Sequence, residues 1–209
     1  MITQASLRER KKARTRASLR EHALRLFREQ GYQATTVEQI AAAAEVSPST
    51  FFRYFPTKED LVLQDDMDIR LVEALARQPA DLKPLAAVRA AMREAWDSFT
   101  PEEWAQIREG GKLSLYVPEI RARTMNEFSR TINVISEALA GRAGCDPGDL
   151  RIRVVAGAVV GVLMAVVLPG KFEVETEAEA EAFAESTMGP SFVSRTDEAL
   201  ALLEQGLPL

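Results

Sequence analysis

TVEQIAAAAEVSPSTFFRYF, residues 36–55, is the stretch on which the reading of this chain turns. Thr36 followed by Gln39 is a capping-box signal ahead of the alanine-rich run Val37–Ala44. Ser47-Pro48 then supplies a serine N-cap with proline in the first helical position. A second short helix is predicted from Pro48 to about Tyr54, ended by Pro56. Two short helices separated by a tight turn are the helix-turn-helix pattern. The second helix has the composition a major groove admits. Pro48, Ser49 and Thr50 are small and allow close backbone approach, and Phe52, Arg53 and Tyr54 follow them. The positive N-terminal end of such a helix favours phosphate.

Upstream, Leu19, Ala23, Leu26 and Phe27 mark one face of a helix expected over about residues 10–30, with Gly31 as its stop. Downstream, Thr57 with Asp60 reads as a capping box opening a long helix over 57–77, closed by Gln78-Pro79. The remainder reads as helix after helix: Pro84–Phe99, a helix from Thr100-Pro101 interrupted at Gly110-Gly111, and Pro118–Ala143 ended by Gly144. An apolar helix runs to Leu168, and an amphipathic one spans Phe192–Gln205 with Ala199, Leu202 and Leu203 inward. Glu173–Glu185 alternates glutamate with small or apolar residues and contains no basic partner, so a mobile acidic loop or a frayed helix is expected there. The fold class is therefore all-α.

Composition narrows the function. The 209 residues are 46% hydrophobic and 27% charged, as in a folded chain. One cysteine excludes an internal disulfide framework, and one histidine beside it excludes the usual zinc sites. No metal or cofactor is implied. Neither a paired nucleophile and base nor a glycine-rich phosphate loop is visible, which argues against an enzyme. The net charge of −5 is unevenly placed. Residues 1–60 hold 11 Lys+Arg against 7 Asp+Glu, and residues 61–209 hold 15 against 24. The tightest basic run, Arg8 to Arg28, suggests a nucleic-acid-facing module on an acidic body, a solvated helix face being the alternative. The longest apolar stretch, Val154–Leu168, falls short of the roughly 20 residues of a membrane span, so no membrane is expected and the location is expected to be cytoplasmic.

The stretch Gly31–Val62 resembles the DNA-binding segment of TetR-family transcriptional regulators. Gly31, Tyr32, Thr35, Thr36, Ile40, Ala41, Val46, Ser47, Tyr54, Phe55, Lys58, Glu59 and Leu61 carry the likeness. It implies a three-helix DNA-binding domain over residues 1–55 and a helical ligand-binding and dimerisation domain over 56–209. Thr36, Ser47, Pro48, Ser49, Thr50, Phe52, Arg53, Tyr54 and Lys58 then stand at DNA-contacting positions, while Phe51 and Phe55 are core aromatics. Two departures concern specificity: Ser49 where the family often has glycine, and Phe52 where it often has tyrosine. Phe52 would trade a phosphate hydrogen bond for apolar contact with a thymine methyl.

The resemblance further implies a homodimer on double-stranded DNA, released by a small-molecule effector. The large residues Trp96, Phe99, Trp104, Tyr116, Met125, Phe128 and Met164 are core by default, and in this family some would line a cavity for a hydrophobic ligand. Helix four, Thr57 to Arg77, is the evident rod between such a cavity and the DNA head. Gly157, Gly161 and Ala165 recur every four residues and would permit close helix approach, internally or at a subunit interface. A repressor is expected, with an activator or a regulator lacking an effector as the alternative.

Overall fold

Arg20 organises the first part of the chain. The computed structural model describes residues 4–63, 65–168, 174, 176–188 and 190–206. In it the guanidinium of Arg20 is almost wholly buried; its Nε donates to the Leu61 carbonyl at 2.9 Å and an Nη donates to that of Leu63. In a continuous helix those two carbonyls would accept from amides four residues on. Their diversion explains why the helix expected over 57–77 does not form as one piece. A single 3₁₀ turn, Glu59–Leu61, comes first, and the α-helix begins only at Asp65. The capping box is half present: the Asp60 carboxylate accepts from the Thr57 amide and hydroxyl, both at 2.9 Å.

The chain divides into two compact units, Met1–Leu63 and Gln64–Leu209. The first therefore extends past the boundary expected at residue 55 and takes in Leu61, Val62 and Leu63, all buried. It comprises α1 (Gln4–Gln30), α2 (Val37–Ala43), α3 (Pro48–Tyr54) and the 3₁₀ turn. Helix α1 starts before the expected residue 10 and stops at Gly31, which takes the left-handed φ of +85° that a residue with a Cβ resists. Leu19, Ala23, Leu24 and Phe27 on α1 pack with Ile40 and Ala41 of α2, Phe51 and Phe55, and Leu61 as the core of the unit.

The second unit comprises α4 (Asp65–Arg77), α5 (Pro84–Asp97), α6 (Pro101–Tyr116), α7 (Pro118–Ala143), α8 (Leu150–Val167), α9 (Glu177–Thr187) and α10 (Pro190–Glu204). No strand occurs among the described residues. Its core gathers Leu75 of α4, Val88, Met92 and Trp96 of α5, Leu139 of α7, Val159 and Val160 of α8, and Phe192 and Leu200 of α10. Charged clamps tie the periphery. Arg89 on α5 bridges Asp197 at 3.1 Å and also reaches Glu204 on α10. Arg142 near the end of α7 donates to the carbonyls of Gln78 and Pro79 in the α4–α5 connection.

Three local expectations are revised here. Gly110-Gly111 does not interrupt α6, which runs unbroken from Pro101 to Tyr116. Gly111 serves a close approach instead: a Cβ built there would lie 1.9 Å from the sulfur of Met188, at the end of α9. The acidic segment is an ordered helix from Glu177, opened by a Thr176–Glu179 capping box. Its missing basic partner comes from α6, where buried Lys112 pairs with Glu109 at 3.4 Å and Glu177 at 3.1 Å. On α10 the inward stripe is Phe192, Thr196 and Leu200, while Leu202 faces outward.

Candidate nucleic-acid interface

Helix α3 is only seven residues long, and both its ends are fixed by its own sequence. Ser47 Oγ accepts from the Thr50 amide at 3.1 Å, and Pro48 occupies the first turn. At the far end the Phe55 amide returns to the Phe51 carbonyl at 2.9 Å. The helix buries Phe51 completely, with Phe55 immediately beyond its end also inaccessible. At 100° per residue the direction opposite Phe51 falls between Ser49 and Arg53, with Phe52 beside them. All three are exposed, Phe52 to 53%. An exposed phenylalanine on the outer face of a short, rigidly capped helix is an apolar surface presented outward. The hydroxyls of Ser47, Ser49 and Thr50 form a cluster with separations of 2.9 and 3.0 Å from Ser47.

Arg53 and Tyr54 are adjacent and coupled, with the guanidinium 5.3 Å from the Tyr54 ring centroid. Tyr54 is half-buried, whereas Arg53 is exposed. Thr36 is exposed at the start of α2, where its hydroxyl accepts from the Gln39 amide at 3.2 Å and Gln39 Oε1 accepts from the Thr36 amide at 2.9 Å. Gln30 at the end of α1 donates to the same Gln39 oxygen at 2.9 Å, fixing the first helix against the second.

Lys58 has a different placement from the other predicted contacts. Its ammonium donates to the carbonyls of Tyr32 at 2.8 Å and Thr35 at 3.0 Å and lies 3.9 Å from the Tyr32 ring centroid. It therefore closes the α1–α2 loop from beneath. Glu59 completes this arrangement by accepting from the Tyr32 hydroxyl. Burial works against ionising Glu59, but that hydrogen bond, its own backbone amide, Thr57 and the Lys58 charge together hold its carboxyl below the usual range. The Tyr32–Lys58–Glu59 network positions the turn that carries Thr36. Sequence spacing gave no sign of it, since its members lie 26 and 27 residues apart.

The apolar candidates of the second unit separate into two groups. Trp96 and Phe99 are buried in the core, and Trp104, Phe128 and Met164 pack against it half-exposed. Trp96 and Trp104 flank Phe192 at centroid distances of 5.0 and 6.2 Å. Phe192 is thus the centre of an aromatic cluster that sequence reasoning did not single out. Tyr116 and Met125 are half-buried and outside that core. Burial and the neighbouring Glu177 raise the Tyr116 hydroxyl above its ordinary value, only partly offset by Lys112.

Comparison with known proteins agrees with this division of the chain. Residues 19–64 match the family described as bacterial regulatory proteins of the tetR family, and residues 82–208 match the MftR C-terminal domain. Among curated relatives, the HTH-type transcriptional regulator TcmR of Streptomyces glaucescens is 35% identical over 150 residues, spanning 68% of this chain and 66% of that protein. The putative mycofactocin biosynthesis transcriptional regulator MftR of Mycobacterium tuberculosis is 27% identical over 158 residues, 74% of this chain and 79% of that one. Among solved structures, Thermus thermophilus FadR, a TetR-family transcriptional repressor in complex with lauroyl-CoA, superposes with a TM-score of 0.56 at 26% identity. That superposition covers 93% of this chain and 95% of the other.

Proposed function

The chain belongs to the TetR family of DNA-binding transcriptional regulators, and from that premise we propose that it is a cytoplasmic repressor that binds palindromic operator DNA as a homodimer and is released by a hydrophobic effector. The observation that carries the reading is the outward face of α3, where Ser49, Phe52 and Arg53 stand exposed on a helix capped at both ends. In the proposed complex Arg53 reads a base edge, Phe52 meets a thymine methyl, and Thr36, Ser47, Pro48, Ser49, Thr50 and Tyr54 approach backbone or base edges. Lys58 acts by holding the α1–α2 loop.

Dimerisation is supported by α8. Because α8 starts at Leu150 rather than Val154 it is 18 residues long, and by length and composition alone it reaches what a membrane span requires, unlike the shorter stretch read from the sequence. It packs against α7 and α10 through Ile152, Ala156, Val159 and Val160. Its other side leaves Leu150 at 75% and Val154 at 59% exposure, followed by Gly157, Gly161 and exposed Ala165. Among the described residues no atom lies within 4 Å of where a Cβ at either glycine would stand, so a second copy can approach closely there. The effector proposal rests on Trp104, Phe128 and Met164, which offer apolar surface beside the core. The acyl chain of lauroyl-CoA, held by the Thermus thermophilus protein, is the kind of apolar group such side chains would take.

Selection of bound duplexes from a random pool is the test. The expected product is a pseudo-palindrome whose half-sites repeat at about 34–36 Å, or a multiple of it. Arg53→Ala should then change the preference at one position per half-site, at a cost of roughly 1–3 kcal/mol. No enrichment, or enrichment unaffected by Arg53→Ala, overturns the assigned face. Sedimentation distinguishes a dimer from a monomer, and a monomer that partitions into lipid vesicles would refute the assignment of α8. Deleting the gene should raise expression of the operator-linked promoter; a fall would identify an activator.

A further inference from the structure

Helix α1 runs several turns beyond its first described buried side chain. Its family match begins at residue 19, and Leu19 is also the first buried side chain among those described on the helix, yet the helix starts at Gln4. None of the described side chains from Leu7 to Ser18 is buried. Arg8, Arg10, Lys11, Lys12 and Arg14 are all exposed, and Glu9 is the one acidic residue among them in the sequence. The five cations spread over somewhat more than half of the circumference at 100° per residue, and the remaining arc holds Glu9 and Ala13 in the sequence, so no stripe of large apolar side chains is left. Neither a protein groove nor a lipid surface suits such a helix, since both need an apolar face. A polyanion does.

Arg16 shows where this extension leaves the body. Its guanidinium stacks 4.7 Å from the ring centroid of Phe55, the residue that ends α3. The projecting turns therefore start beside the end of the helix assigned to the major groove. From Arg8 to Leu19 the axis advances about 16 Å, which matches roughly five base pairs at 3.4 Å each. We infer that residues 8–14 form a rigid helical arm that grips the phosphate backbone of the duplex flanking each half-site. The arm rests on the proposed DNA-binding function but adds a contact outside the segment shared with the family. It supplies affinity and salt dependence without reading bases.

The test measures binding of the full-length protein to its selected operator across a salt series, with the variant R8Q/R10Q/K11Q/K12Q/R14Q alongside. Each phosphate contact contributes about 0.9 to the slope of log affinity against log salt. Losing two contacts per subunit, four per dimer, would make the affinity drop between 50 and 200 mM salt about a hundredfold smaller in the variant. A charge-retaining variant, R8K/R10K/R14K, should keep the wild-type slope. Base preference at the half-site centres should be the same in all three. A second measurement leaves the protein unaltered: trimming the operator by about five base pairs at each outer end should reduce wild-type affinity and slope together. Unchanged slopes in the glutamine variant, or on the trimmed duplex, overturn the arm and leave the operator reading intact. Absence of duplex binding by the wild-type protein overturns both.

Discussion

The two units solve the problem of holding helices in place differently. In the first, short helices are fixed by their own ends: Thr36 with Gln39 opens α2, Ser47 opens α3, and Phe51 and Phe55 fill the space beneath. In the second, long helices are held mainly by one another. Lys112 reaches from α6 to α9, Arg89 from α5 to α10, and Met188 lies against the bare backbone of Gly111. The small unit has little surface to bury, so each core ring carries a large share of its stability. The large unit distributes stability over a core shared by five helices.

The largest expected effect separates the units. Phe51 is fully buried, 5.3 and 6.0 Å from the rings of Phe52 and Phe55. Phe51→Ala should cost about 3–5 kcal/mol, comparable with everything a domain of this size has to lose. Hydrogen exchange should show α2 and α3 losing protection while α5 and α8 keep theirs. Loss of protection across the whole chain at once would mean that the units do not fold independently.

A smaller effect is expected at the α6–α9 clamp. The Lys112 side chain is 7% exposed, whereas its partner Glu177 is 57% exposed. Lys112→Met should cost about 3 kcal/mol: Glu177 regains water, but Glu109, only 15% exposed, loses the cation beside it. Burial opposes the Lys112 charge, but the Glu177 hydrogen bond and the charges of Glu109, Glu177 and Glu181 raise its pKa above the ordinary 10.5. The folded state therefore holds this proton more tightly than the unfolded one. The stabilisation is complete below 10.5 and fades as pH rises through the raised value. Proteolysis near α9 should accelerate in that alkaline window in the wild type and not in Lys112→Met. Equal pH dependence in both would remove Lys112 as the clamp.

Gly111 tests whether close approach or helix interruption explains its presence. Gly111→Ala should destabilise by about 1 kcal/mol: the new methyl displaces Met188, against a gain of up to about 1 kcal/mol in helix propensity. In a Met188→Ala background the obstruction is gone and the same substitution should stabilise. A thermal melt of the four proteins in this cycle gives the sign directly. Stabilisation in both backgrounds would mean that Met188 moves aside freely.

These sites also mark how far the sequence could be read. Signals contained within a few residues were legible: the Thr36 and Thr100 capping boxes, Pro118 opening α7, and Gly144 closing it at a left-handed φ of +65°. The composition of α3 was legible too, small residues at Pro48, Ser49 and Thr50 followed by Phe52 and Arg53, whereas the inward place of Phe51 came only from the family resemblance. Signals that depend on a distant partner were not. The helix expected over 57–77 is broken by Arg20, 41 and 43 residues from the carbonyls it takes. The acidic α9 has its lysine on another helix, and Lys58 has its ammonium committed to carbonyls 26 and 23 residues away. Local sequence fixes where helices start and stop; it does not reveal which polar ends are already taken.

The smallest effect lies inside the unit whose local signals are strongest, and it is an exception to them. The turn between α2 and α3 passes through Glu45 at a φ of +55°, the one non-glycine residue with positive φ in the described structure. The geometry is imposed from both sides. The Glu45 amide returns to the Ala42 carbonyl at 3.1 Å and the Val46 amide to that of Ala41 at 2.9 Å, which closes the end of α2 and starts the approach to Ser47. A Cβ in this conformation crowds the carbonyl, at roughly 1–2 kcal/mol relative to the right-handed form. Glycine removes that strain but enlarges the freedom of the unfolded chain, so the net gain is smaller. Glu45→Gly should stabilise the first unit by about 0.5–1 kcal/mol, read as a shift in the denaturant midpoint at constant slope. The Glu45 side chain is exposed, so no core contact is lost in the exchange. Glu45→Val, with a branched Cβ in the same place, should shift the midpoint the other way. If glycine destabilises and valine does not, the turn relaxes out of the left-handed region in solution, and the spacing between α2 and α3 is set by the Phe51–Ile40 core rather than by the turn itself.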